Sequence, residues 1–153
     1  MKTIRFKKTH PNAVIPFYAT EGAAAMDLTA VSSELIDYQH VKYNFGLAFE
    51  IPKGKVGLIF PRSSCYKQRQ LLSNCVGVID SDYRGEVSAV MIGTSDSSYL
   101  ISERVAQIMF IDAPQYQLEV VEELSETERG EGGYGSTGKQ KIKKSSRCLR
   151  PIL

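Results

Sequence analysis

A chain of 153 residues, 42% of them hydrophobic and 24% charged, can bury one core but is too short for two independent ones. No apolar run approaches the roughly 18 residues a membrane span needs, and Met1-Lys2-Thr3-Ile4-Arg5-Phe6 lacks the apolar stretch of a signal peptide. The formal charge of +2 is uneven: basic residues at 139, 141, 143, 144, 147 and 150 face no acid, so the body before them is net acidic, unlike a nucleic-acid-binding surface.

Short alternating or apolar runs predict strands over 3–7, 41–51, 55–60, 86–92, 105–111 and 115–121. Pro11-Asn12, Pro52-Lys53-Gly54 and Asp112-Ala113-Pro114 supply turn chemistry between them. No segment keeps a helical period for three turns. One short helix is expected after Pro61-Arg62, capped by Ser63 or Ser64, with 65–70 as its body. Many short strands at close spacing point to an all-β sandwich or barrel. The last strand is expected to end near Val121, followed by a long polar arm. Cys65, Cys75 and Cys148 match no metal-ligand spacing, so reduced thiols and a cytoplasmic setting are expected, or a nuclear or host-cell one in a eukaryote or virus.

The most informative stretch is Gly77-Val78-Ile79-Asp80-Ser81-Asp82-Tyr83-Arg84-Gly85-Glu86. A strand delivers Asp80 to a tight turn, where a carboxylate could orient and deprotonate water. Asp80 and Asp82 could equally be ordinary turn residues. In Arg129-Gly130-Glu131-Gly132-Gly133-Tyr134-Gly135-Ser136-Thr137-Gly138 the glycines would let N–H groups converge on an anion. Ser136 and Thr137 add donors, Arg129 a guanidinium fork, and Tyr134 a ring suited to stacking on a base. The same stretch could be a flexible linker. Pro61-Arg62-Ser63-Ser64 would suit phosphates or serve as a plain capping sequence. In Arg104-Val105-Ala106-Gln107, at the head of a strand, Gln107 alternates outward from Val105, although either residue could be plain core or surface. Ala23-Ala24-Ala25-Met26-Asp27-Leu28 sets one acid among small apolar residues, either as a functional carboxylate or as an Asp at a strand end.

In their order along the chain these five segments resemble the five motifs of the trimeric dUTP diphosphatases (dUTPases), over roughly residues 1–138. The resemblance implies a β jelly-roll subunit with one short helix over 1–124, in a homotrimer with three shared active sites. It implies a glycine-rich arm over 125–138 that closes over nucleotide; the basic tail, 139–153, extends past the usual family end and, from its composition, is expected to be disordered. The reaction would convert dUTP to dUMP and pyrophosphate, limiting uracil in DNA and supplying dUMP for dTMP synthesis. Asp80 would be the general base. Arg62, Ser63 and Ser64 would hold phosphates, Gln107 would lie near the α-phosphate, and Arg129, Ser136 and Thr137 would hold the γ-phosphate. Asn74 and the backbone of Gly77, Val78 and Ile79 would read uracil, Tyr83 would pack under the deoxyribose, and Tyr134 and Gly135 belong to the closing arm. Mg2+ would be chelated by the triphosphate and reached by Asp27 through water.

Two departures stand out. Tyr134 replaces the family's usual Phe, and the segment 65–73 is one residue shorter than is common. Two other readings share the fold: a dCTP deaminase, and a regulatory module that binds a protein partner through arm or tail when nucleotide closes it. Neither a membrane nor a nucleic-acid partner is expected.

Overall fold

The computed structural model of the chain describes residues 3–93 and 98–133. Residues up to Tyr116 make one compact unit, and those from Gln117 belong to a second. The regular elements described in the first are strands and one short helix. In chain order they are β1 (Arg5–Lys8), β2 (Met26–Thr29), β3 (Ser32–Leu35), β4 (His40–Asn44), β5 (Leu47–Glu50) and β6 (Lys55–Pro61). A 3-10 helix, Ser63–Gln68, is followed by β7 (Gln70–Leu72), β8 (Gly77–Ile79), β9 (Ser88–Gly93) and β10 (Arg104–Asp112).

Two four-stranded antiparallel sheets, ordered β2-β10-β6-β8 and β3-β4-β9-β7, accompany the two-stranded pair β1-β5. The crossovers between sequence-distant strands suit the jelly roll implied by the motifs. Inward residues alternate with outward ones, so Tyr43, Met91, Ile59 and Ile108 are buried from both sheets. Phe49 and Phe110 meet edge to face at a centroid distance of 5.4 Å and close the core toward β1.

Several expectations are corrected. The run over 41–51 is two strands, because the chain turns at Gly46, whose φ of +66° lies in the left-handed region. A Cβ there would also lie 2.7 Å from the His10 Cβ and 3.0 Å from the Ala13 Cβ. Neither serine caps the helix. Arg62 holds the cap position in extended conformation without a side-chain cap hydrogen bond, and the helix ends at Gln68 before a left-handed Arg69. Gln70 belongs to β7, and the six-residue helix before it is wound as 3-10, as short connecting helices often are. The strand expected over 115–121 is not formed. Alternation specifies a pleat, but a strand also needs a hydrogen-bonding neighbour, and Leu118 and Val120 stand fully in solvent. Asp27 sits inside β2, not at its end.

Candidate functional site

The candidate residues form two groups on one sheet. In the first, β10 lies between β2 and β6, and its register places Gln107 opposite Asp27 on one side and Phe60 on the other. The Gln107 Nε2 donates to the Pro61 carbonyl at 3.0 Å, tying it to the segment that leads into Arg62. Arg62 donates from Nε to Asp27 Oδ1 at 2.8 Å and from Nη1 to the Arg104 carbonyl at 3.2 Å. Arg104 donates from Nη1 to the other oxygen, Asp27 Oδ2, at 2.9 Å. Ser64 follows with its hydroxyl 3.5 Å from the Arg62 Nη1, and Ser63 is exposed beside it. Arg62, Ser64, Lys67 and Arg104 line a polar hollow of about 290 Å³, with Tyr99 as one wall. Burial raises the Tyr99 hydroxyl pKa above its ordinary value; the nearby Cys65 adds to this and Arg62 opposes it. Arg62 and Arg104 are already paired with Asp27, but with Lys67 they bring more N–H donors than the carboxylates of Asp27 and Glu103 take up, which suits phosphate oxygens.

The second group surrounds β8. Among the described residues this strand pairs with β6 alone and forms the edge of its sheet, so alternate N–H and C=O groups of Gly77, Val78 and Ile79 face away from any described strand. Such an edge can present donors and acceptors to a pyrimidine as a pairing base would. Asn74 is exposed in the turn just before it, beside Cys75 at φ +60°. Asp80 follows directly, with its carboxylate exposed at the lip of a hollow of about 150 Å³ walled by Val78, Ile79, Tyr83 and Glu86. The turn is self-bonded: the Tyr83 N–H donates to the Asp80 carbonyl at 3.2 Å, and Arg84 Nη1 to the Ser81 carbonyl at 2.7 Å. The Tyr83 hydroxyl donates to the Glu86 carbonyl at 3.2 Å.

One chain does not bring these groups together. Ile79 pairs with Gly57 near the start of β6, so Asp80 continues past Val56, while Arg62 leaves the far end. Six residues of strand, roughly 20 Å, lie between the two levels. Arg129 belongs to the second unit, where its Nε donates to the Gly132 carbonyl at 2.8 Å and folds it back on its own turn. Tyr134, Gly135, Ser136, Thr137 and the basic tail lie outside the described residues.

Sequence reasoning singled out Gln107 but not Arg104, although both stand in the same motif. The ion pair depends on the β2–β10 register, which no local pattern reveals. A register shift between Arg104 and Ala106 also buries both Val105 and Ala106, so the simple alternation assumed for Gln107 is interrupted just before it.

Asp27 fits the part implied for it toward Mg2+. Each of its oxygens already accepts one guanidinium N–H and keeps a further lone-pair direction, which suits contact through water better than direct ligation. Among the described residues no three His, Cys, Asp or Glu side chains gather as a metal cage. No helix among them is long and apolar enough to cross a membrane.

The family model described as dUTPase matches residues 11–138. A deoxyuridine 5'-triphosphate nucleotidohydrolase of Hydrogenobaculum sp. (strain Y04AAS1) is 41% identical over 139 residues, covering 86% of this chain and 95% of that protein. The protein of that name from Paramecium bursaria Chlorella virus 1 is 36% identical over 142 residues, covering 90% and 99%. Among solved structures, a Staphylococcus bacteriophage 80alpha dUTPase with dUPNHPP shares the fold at a TM-score of 0.78 and 24% identity, covering 90% of this chain and 99% of that one. A dUTPase variant from phage phi11 of S. aureus, described as coordinating a structural Mg(II) ion, shares it at 0.69 and 19% identity, covering 82% and 100%. With the model spanning nearly all the described residues, and relatives above one-third identity matched along almost their whole length, the chain belongs to the dUTPase family.

Proposed function

We propose that the chain hydrolyses dUTP to dUMP and pyrophosphate in active sites shared between copies of itself in a homotrimer. The observation that carries this reading is the placement of Asp80 and Arg62 at opposite ends of β6. Each end is ordered by its own hydrogen bonds, so two chains can supply both halves without either being rebuilt. Uracil would enter along the β8 edge, read by its outward N–H and C=O groups and by Asn74. A 5-methyl group would meet backbone, which cannot yield as a side chain can, and thymine would be excluded. Tyr83 would lie under the deoxyribose and leave no room for a 2'-hydroxyl.

Asp80 would take a proton from a water as that water's oxygen bonds to the α-phosphorus and the bond to the β-phosphate bridging oxygen breaks. The pyrophosphate then leaves. Such a step needs positioning and charge neutralisation more than covalent help. Arg62, Ser63, Ser64 and Gln107 would supply these on the neighbouring chain, while Arg129, Ser136 and Thr137 would hold the γ-phosphate when the 125–138 arm closes with Tyr134 over the base. Mg2+, chelated by the triphosphate, would neutralise phosphate charge. Asp27 would orient its water shell.

The direct test is pyrophosphate release from dUTP, dTTP, dCTP and UTP in parallel, with Mg2+ and with chelator. Turnover confined to dUTP and lost with chelator is expected. Ammonia release from dCTP would move the assignment to a deaminase. No turnover of any of the four would move it to a nucleotide-gated binding protein.

A further inference from the structure

The turn that carries Asp80 and Tyr83 is fastened at its return end by Glu86, which has no place in the reaction as described above. One Glu86 carboxylate oxygen accepts the Gly46 N–H at 3.0 Å, and the other accepts the Thr9 hydroxyl at 2.7 Å. The Thr9 N–H donates to the Gly46 carbonyl at 2.8 Å, closing a ring among three segments remote in sequence. The seat of this ring is rigid, since the Gly46 turn is held in the left-handed region against His10 and Ala13. On the other side of Glu86 the Val87 N–H donates to the Leu47 carbonyl at 2.8 Å, so backbone and side chain grip the same turn.

That grip reaches Tyr83. The Glu86 carbonyl accepts its hydroxyl, and its ring occupies the space a Cβ on Gly85 would take, the hydroxyl oxygen lying 2.4 Å from that point. The tilt of the ring therefore follows the Glu86 backbone, and the Glu86 side chain helps to fix that backbone. Both acceptors belong to one carboxylate, which makes these hydrogen bonds stronger than neutral ones.

We propose that Glu86 is a positioning residue for sugar discrimination: its carboxylate, bonded to Thr9 and Gly46, sets the Tyr83 ring at the distance that admits a deoxyribose and refuses a ribose. This rests on Tyr83 packing under the sugar. Steric refusal of one hydroxyl depends on placement to within about an ångström, so a loosened anchor weakens selectivity before it abolishes turnover. A glutamine at 86 would keep one acceptor oxygen and present an N–H2 to the second donor, so it would restore only part of the ring.

The test measures kcat and KM for dUTP and for UTP with Mg2+, using the full chain and its Glu86→Ala, Glu86→Gln and Tyr83→Ala variants, each also melted by circular dichroism. Tyr83→Ala should lower the preference for dUTP over UTP in kcat/KM by at least about tenfold, Glu86→Ala by about tenfold, and Glu86→Gln by less. A purely structural Glu86 would lower the melting temperature and leave the preference alone. That result, beside a changed preference in Tyr83→Ala, overturns the role of Glu86 and spares the reading of Tyr83. An unchanged preference in Tyr83→Ala overturns both. Should Glu86→Ala fail to fold, Glu86→Gln and Thr9→Val replace it under the same criteria.

Discussion

Arg104 holds the oxygen of Asp27 that Arg62 leaves free, at 2.9 Å, so one carboxylate is shared by two guanidinium groups, one on each oxygen. The Asp27 side chain is 19% exposed, against 24% for Arg62 and 50% for Arg104. Loss of the shared partner should therefore matter more than loss of the outer cation. Asp27→Ala would leave two like charges facing each other and is expected to lower stability by about 2 kcal/mol, less than a fully buried pair because solvent reaches the site. Arg104→Ala should lower it by less than about 1 kcal/mol, since Arg62 keeps Asp27 paired. Denaturant unfolding of both variants decides. Equal losses would contradict the sharing.

Asp80→Asn keeps the shape of the turn but cannot accept a proton. Turnover of dUTP should fall by about 10² to 10⁴-fold, while a non-hydrolysable dUTP analogue binds with nearly parent affinity. Calorimetric titration beside a pyrophosphate assay reads both quantities. Parent-rate hydrolysis would remove Asp80 as the base.

Chains carrying Asp80→Asn and chains carrying Arg62→Ala are each damaged in a different half of the site. Mixed, unfolded together and refolded, they should recover activity that neither has alone, because some sites then combine an intact Asp80 with an intact Arg62. Were the whole site within one chain, the mixture would be no more active than its components.

At Gly85 an added Cβ would meet the Tyr83 hydroxyl oxygen at 2.4 Å and its Cζ at 2.5 Å. These atoms are the far end of an exposed side chain, so Gly85→Ala should push the ring aside without unfolding the protein. The expected outcome is a nearly unchanged melting temperature with a raised KM for dUTP and a weaker preference over UTP. A large drop in melting temperature would mean the ring cannot move.

Tyr99 is almost wholly buried, packed edge to face on Tyr43 with ring centroids 5.8 Å apart, and its hydroxyl has no hydrogen-bond partner among the described residues. Tyr99→Phe removes an unsatisfied polar atom and should stabilise the fold by about 1 kcal/mol. The pH dependence has a definite sign. Burial raises the folded-state pKa above 10.0, so the unfolded chain surrenders this proton first. Stability linked to Tyr99 is therefore complete below about pH 10 and is lost as pH rises through the raised value. Melting curves from pH 8 to 11 should fall less steeply for Tyr99→Phe than for the parent.

Much of the molecule could be read from its residues because strands announce themselves locally. Lys55, Val56 and Leu58 begin a strand where the alternation begins, and Asp80 stands at a strand end as its motif suggests. What escaped depends on partners. Gly46 splits an apolar run that looks continuous, because its turn is demanded by His10, Ala13 and Glu86. Asp27 looks like a lone acid among alanines until β10 lies beside it. The alternation of 115–121 was visible, yet it did not make a strand without a neighbour. Glu86 stood in plain view at the end of the Asp80 motif, but its bonds reach back 40 and 77 residues.

The roughly 20 Å between Asp80 and Arg62 along one strand also bears on how such an enzyme would answer to its own abundance. Where copies are only partly assembled, catalysis divided between them would not scale in simple proportion to the number of chains. On dilution below the concentration that holds them together, activity would vanish faster than protein. In that dilute range a small rise in chain concentration would bring a disproportionate rise in hydrolysis.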